Sequence, residues 1–170
     1  MIPRALATAL NGLNWCVAGG WAACPSLATD RDVWIFSIDT IELEGCRQRL
    51  LDAVKSTKGF TEQTETEVIN YEGVNFTIRK VGYFNYSKEL QPLHLMISDA
   101  PSPEAVMAGF DISTHAVAIM PEGQIIKHPD WTAVNVPPVK LLNSNSTEAR
   151  MTKIAVRYGH PVPVSGVTIG

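Results

Sequence analysis

No stretch of this 170-residue chain approaches the roughly 18–20 consecutive apolar residues that a membrane-spanning helix requires, so no transmembrane segment is predicted. The short apolar run within residues 1–10 gives way to Asn11-Gly12 and lacks the length of a secretion-signal core. Cysteine is scarce: Cys16, Cys24 and Cys46 are odd in number and include no Cys-x-x-Cys pair. With the histidines scattered at His94, His115, His128 and His160, a structural zinc site is not expected, and reduced thiols in a cytoplasm are the simplest expectation. An excess of positive charge is missing too: 14 Lys and Arg face 17 Asp and Glu, for a formal net charge of −3. Broad, non-specific DNA binding, which neutralises many phosphates with cations, is therefore not expected. No internal repeat, heptad run or low-complexity tract is visible, and no Ser-His-Asp or Cys-His arrangement follows from spacing.

What remains is 45% hydrophobic and 18% charged, the balance of an ordinary folded chain, and residues 1–170 are expected to make one domain. Helices are predicted over 3–10, with a proline in the first turn, and over 21–27, started or interrupted by Pro25. Another, amphipathic and packed on the sheet, is expected over 41–58, with apolar residues at Ile41, Leu43, Leu50, Leu51 and Val54 and Gly59 just past the end. Residues 101–108 read as helical, with Ser102 as the cap before Pro103. The last helix is predicted over about 146–158, capped by Ser146 or Thr147 and stopped by Gly159. Strands are predicted over 15–18, from Asp30 to Phe36, over 67–71 and 76–84 joined through Glu72-Gly73, and over 93–98. Two more, at 116–120 and 124–126, flank the turn Pro121-Glu122-Gly123. The polar run 61–67 reads as a solvated connector, and the prolines at 129, 137 and 138 as an irregular crossing. The sum is an α/β (α+β) chain: a mixed, partly antiparallel sheet flanked by helices.

The most informative stretch is Val17-Ala18-Gly19-Gly20-Trp21 followed by Asp30-Arg31-Asp32-Val33-Trp34-Ile35. Side chains two apart on a strand share a face, so Asp30 and Asp32 can share one divalent cation. The β-branched and aromatic residues after them suit a buried strand that holds the acids at its entrance. The two glycines end an apolar run and, lacking Cβ, let backbone amides approach a phosphate. Together these residues suit a triphosphate and the Mg²⁺ that neutralises it.

The same residues, Ala18-Gly19-Gly20-Trp21-Ala22-Ala23 with Thr29-Asp30-Arg31-Asp32-Val33-Trp34, resemble the signature of the DNA polymerase β-like nucleotidyltransferase superfamily. Segments 93–97, 109–113 and 150–159 are similar to blocks in its small bacterial, phage and large-virus members. The resemblance implies a polymerase β-like core and transfer of a nucleoside monophosphate from an NTP to a hydroxyl of RNA, protein or a small molecule. It implies Mg²⁺ or Mn²⁺ held by Asp30 and Asp32, and nucleotide contacts from Gly19, Gly20, Trp21, Arg150 and Lys153. A third catalytic carboxylate normally lies on a later strand beside the acidic one. Here that strand carries His94, which leaves Asp111, the favoured residue, or Asp99 for the role. Asp111 would complete the cation clamp or act as a base.

Trp21 stands where members have a small residue, and either stacks on a base or obstructs the nucleotide. Arg150, Lys153 and Arg157 recur at spacings of three and four, which sets them on one helix face. They read as a solvated stripe or as phosphate contacts. Trp15, Trp34 and Trp131 read as packing residues, and His115 as a strand surface residue. Two alternatives stand beside the transferase: a catalytically impaired member serving as a binding or antitoxin-like module, and a metal-dependent phosphohydrolase or unrelated domain in which Asp30 and Asp32 hold a cation but no NTP enters.

Overall fold

The alternation expected along the acidic strand is the key to the architecture, because it assigns each side chain of the sheet to one of two helix-covered faces. A computed structural model of the chain describes residues 2, 4–39, 41–56, 60–63, 67–69, 76–85, 91–143 and 146–161. Pro3, Gly59, Tyr71 and the Glu72-Gly73 connection lie outside the described residues.

The chain opens with α1 (Arg4–Leu10), β1 (Asn14–Ala18) and a short α2 (Gly20–Ala23). A 3-10 turn at Pro25–Leu27 follows, so the helix expected over 21–27 is split ahead of its proline. Then come β2 (Arg31–Phe36), α3 (Leu43–Lys55), β3 (Phe60–Gln63), β4 (Glu67–Ile69), β5 (Ile78–Asn85) and β6 (Leu93–Ser98). The remaining elements are α4 (Pro103–Ala108), β7 (Val117–Ile119), β8 (Ile125–Lys127) and α5 (Glu148–Arg157). Among the described residues eight strands form one sheet in the order β3-β5-β6-β2-β1-β7-β8, with β4 also paired to β5. β2 runs antiparallel to β1 and parallel to β6, so the sheet is mixed, with helices on both sides.

Odd-numbered residues of β2 and β6, Val33, Ile35, Leu93, Leu95 and Ile97, pack under Leu6, Leu10, Leu50 and Val54 of α1 and α3. Even-numbered Trp34, Phe36 and Met96 face the other way, against Val106 and Met107 of α4. Both faces are covered, as a near-continuous apolar strand requires. Asp32 and His94 belong to the even set, so they sit on the α4 side at the entrance of their strands. α5 packs beside them through Ile154 and Ala155, which meet Ile112 and Val139.

Two boundaries differ from expectation. Residues 60–63 are a strand and not a solvated connector; β3 and β4 both line the same edge of β5, where backbone pairing suffices and polar residues suit an edge. Ile41 is 91% exposed and precedes α3, because the Asp39 carboxylate accepts from its N–H at 2.9 Å and forms a turn before the helix begins. The hairpin of β7 and β8, the Ser102 cap and the last helix follow the sequence. In that helix the Thr147 side chain accepts from the Arg150 N–H, and Gly159 follows at φ 72°. Among the described residues no helix is long and apolar enough to cross a membrane, and the three cysteines are free thiols.

Arg31, between the two acids, is almost wholly buried. Its Nε and Nη2 donate to the Gln91 carbonyl at 3.2 and 3.0 Å, and its backbone N–H donates to the Pro92 carbonyl at 2.8 Å. The guanidinium lies 5.8 Å from the centre of the Trp21 ring. Arg31 therefore staples the start of β2 to the start of β6, and so fixes Asp32 beside His94. Arg31→Ala is expected to cost about 3 kcal/mol through lost packing and an orphaned carbonyl, measurable by urea unfolding.

Candidate metal centre

The entrance of β2 opens into a cavity of about 520 Å³ lined by Asp30, Asp32 and Asp111 together with several cations. Asp30 precedes the strand and Asp32 is its second residue. Parallel pairing places His94 of β6 opposite Asp32. His94 Nδ1 lies 3.1 Å from Asp32 Oδ1 and 3.5 Å from Asp30 Oδ2. One donor atom from each of the three residues falls within 4.8 Å of the others, a grouping that can hold a metal ion. The donor set fits one: ligands at ~2.1 Å from a cation stand ~3.0–3.4 Å apart, a range that holds the imidazole's distance to Asp32 and falls just short of its distance to Asp30.

The charges in this grouping are unequal. Hydrogen bonds to Asp30 and Asp32 push His94 up to about 9, so its imidazolium balances the acids when no cation is bound. The His94 hydrogen bond holds Asp30 below the usual carboxylate range. Asp32 moves the other way, because burial and then the neighbouring Asp30 charge outweigh the same histidine. The asymmetry follows depth: the Asp30 side chain is 41% exposed and that of Asp32 28%.

Lys80 of β5 and Arg150, Lys153 and Arg157 of α5 line the same cavity, and the charges of Lys80 and Arg150 act on Asp30. The helical stripe seen in the sequence thus faces the cavity. Buried Trp34 and Met96 and half-buried Phe110 contribute apolar lining, the two aromatic rings 5.6 Å apart. Gly19 and Gly20 line the cavity as expected. Gly19 has φ 89° and ψ −150°, a conformation close to glycine-only, and a Cβ there would stand 3.8 Å from Asp32 Oδ2. Its amide, however, donates to the Val117 carbonyl at 3.2 Å, which commits it to the sheet and not to a phosphate. A Cβ on Gly20 would come within 3.3 Å of the His115 ring.

Several sequence assignments change here. Trp21 is not among the lining residues; its ring rests on Arg31. Asp111 lines the cavity but lies outside the three-residue grouping and accepts from Arg150 Nε at 2.8 Å. Asp99 accepts from the Thr77 amide at 2.7 Å and lines a separate depression with Ser37 and Asp39. The position beside Asp32 belongs to His94, which sequence reasoning noted without making it a ligand. Lys80 was also missed.

His115 is buried in a 3-10 turn, and not on a strand surface. Its Nε2 lies 2.7 Å from the Tyr158 hydroxyl, and the two rings meet edge to face. Burial, helped by Arg150 and Arg157, pushes it down to about 4. A histidine kept neutral in the fold but free to charge when unfolded stabilises fully above its ordinary 6.5, and that contribution is lost as pH falls toward about 4. The melting temperature is therefore expected to drop across that window, and more gently in His115→Gln; equal slopes would refute the assignment.

No family model matches the chain, and no curated protein shows significant similarity to it.

Proposed function

We propose that this chain is a nucleotidyltransferase of the polymerase β-like type, transferring a nucleoside monophosphate from an NTP to a hydroxyl of RNA, protein or a small molecule. The observation that carries the proposal is the shared cleft: a glycine bend, an Asp-x-Asp pair at a strand entrance, and four cations line one cavity. The order of elements supports it as well. The strand ahead of the glycines runs antiparallel to the acidic strand, whose parallel neighbour bears the third ligand.

Asp30, Asp32 and His94 would hold a divalent cation, which supplies charge neutralisation for the triphosphate and the departing pyrophosphate. Lys80, Lys153 and Arg157 bind the phosphates through charge-assisted hydrogen bonds. Asp111 orients Arg150 through their ion pair. The Gly19 bend keeps the mouth beside Asp32 open, and the Trp34 and Phe110 rings offer an apolar wall to the nucleoside.

Incubation with α-labelled NTPs, divalent cations and bulk RNA or protein is expected to give labelled acceptor and pyrophosphate. Absence of both with every cation would overturn transferase activity. One observation favours a second reading: an imidazole stands where a third carboxylate was expected. A chain that binds NTP in a cation-dependent way and returns it unchanged would be a nucleotide-binding module of the same fold.

A further inference from the structure

Resting on the reading above that this cleft takes a nucleoside triphosphate, we propose that Asp30, Asp32 and His94 form a one-ion centre that prefers a first-row transition divalent cation to Mg²⁺, with His94 Nδ1 as a direct ligand. Three observations lead there. The imidazole nitrogen already stands at ligand-to-ligand distance from Asp32 and close to it from Asp30. The ring is fixed in place, since His94 is the second residue of β6, flanked in register by Asp32 on one side and Gly82 on the other, and its side chain is only 16% exposed. The charge count limits the centre to one ion: two carboxylates balance one divalent cation, and Asp111 is bound to Arg150 outside the grouping.

Ligand chemistry then sets the preference. Mg²⁺ is hard, favours oxygen donors and parts from its waters reluctantly, whereas imidazole suits cobalt, nickel, iron and zinc. Exchanging a carboxylate for an imidazole also removes one negative charge, which weakens the hold on Mg²⁺ more than on an ion that gains a nitrogen bond.

The test is titration of the nucleotide-free protein with Co²⁺ and, separately, with Mg²⁺, in wild type and His94→Asp. One Co²⁺ per chain is expected, with visible absorption and a paramagnetically shifted, exchangeable ring N–H proton. In His94→Asp that proton is expected to vanish and the Co²⁺-to-Mg²⁺ affinity ratio to fall by about tenfold or more. An unchanged ratio, a second Co²⁺ of equal affinity, or bound Co²⁺ without a shifted ring proton would overturn the proposal. The wild-type proton decides the matter even where the variant fails to fold. ATP binding measured alongside separates the two levels: cation-dependent ATP binding with no role for His94 removes only the ligand assignment, while binding of neither ion nor ATP removes both.

Discussion

Exchanging Asp32 for asparagine is expected to cut cation-dependent transfer by about a hundredfold or more while leaving the folded chain at least as stable as before. Both halves come from the same burial. Asp32 is the deeper acid, and burial together with the adjacent Asp30 charge already disfavours its ionised form. An amide of the same shape removes that charge, leaves β2 paired on both sides, and leaves His94 its contact with Asp30. What the amide cannot do is bind a divalent cation as an anionic ligand. A melting temperature that holds or rises while activity collapses marks a residue kept for chemistry at some expense to the fold. A parallel loss of both would make Asp32 a structural acid.

The second large effect concerns the cations of the cleft. Lys80 and Lys153 reach the cavity from β5 and α5, from separate walls. Removing both, as Lys80→Ala with Lys153→Ala, is expected to weaken NTP binding by about 30- to 300-fold, on the scale of two charge-assisted hydrogen bonds that remain partly screened. Lys153 is exposed and Lys80 half-buried, so the melting temperature is expected to move by no more than a few degrees. Isothermal titration at two salt concentrations checks the electrostatic origin, since the difference between wild type and variant is expected to shrink as salt rises. A variant that binds NTP as well as wild type would return the α5 stripe to a solvated face.

The parts of this site that were legible in sequence are those set by neighbours along the chain. Asp30 and Asp32 share a face because strand side chains alternate. The Gly19 bend declares itself by composition, and α5 by its Thr147 cap and Gly159 stop. The parts that were not legible depend on which strand lies beside which. His94 meets Asp32 only because β6 pairs in parallel with β2, across a sequence separation of 62 that no local period encodes. The packing of α5 against Ile112, equally non-local, gives Asp111 to Arg150. His115 sits in a segment whose alternation suggested a strand, but a 3-10 turn carries it inward to Tyr158. Trp21, read as a nucleotide contact from its address, was claimed by the buried Arg31 between the acids. β3 was hidden for a related reason: an edge strand takes its stability from backbone pairing with β5, so its side chains carry no apolar pattern to find.

The most direct measurement is equilibrium dialysis of labelled ATP against the chain with Mn²⁺, with EDTA, and with Asp30→Asn in place of wild type. Asp30 is held ionised by His94 and is the more exposed of the two acids, so its loss strips the cleft of an anionic ligand without disturbing the core. Saturable binding with Mn²⁺ that disappears both in EDTA and in the variant is the outcome this site requires. Binding that ignores the cation and the substitution alike, or none at millimolar ATP under any condition, would refute it.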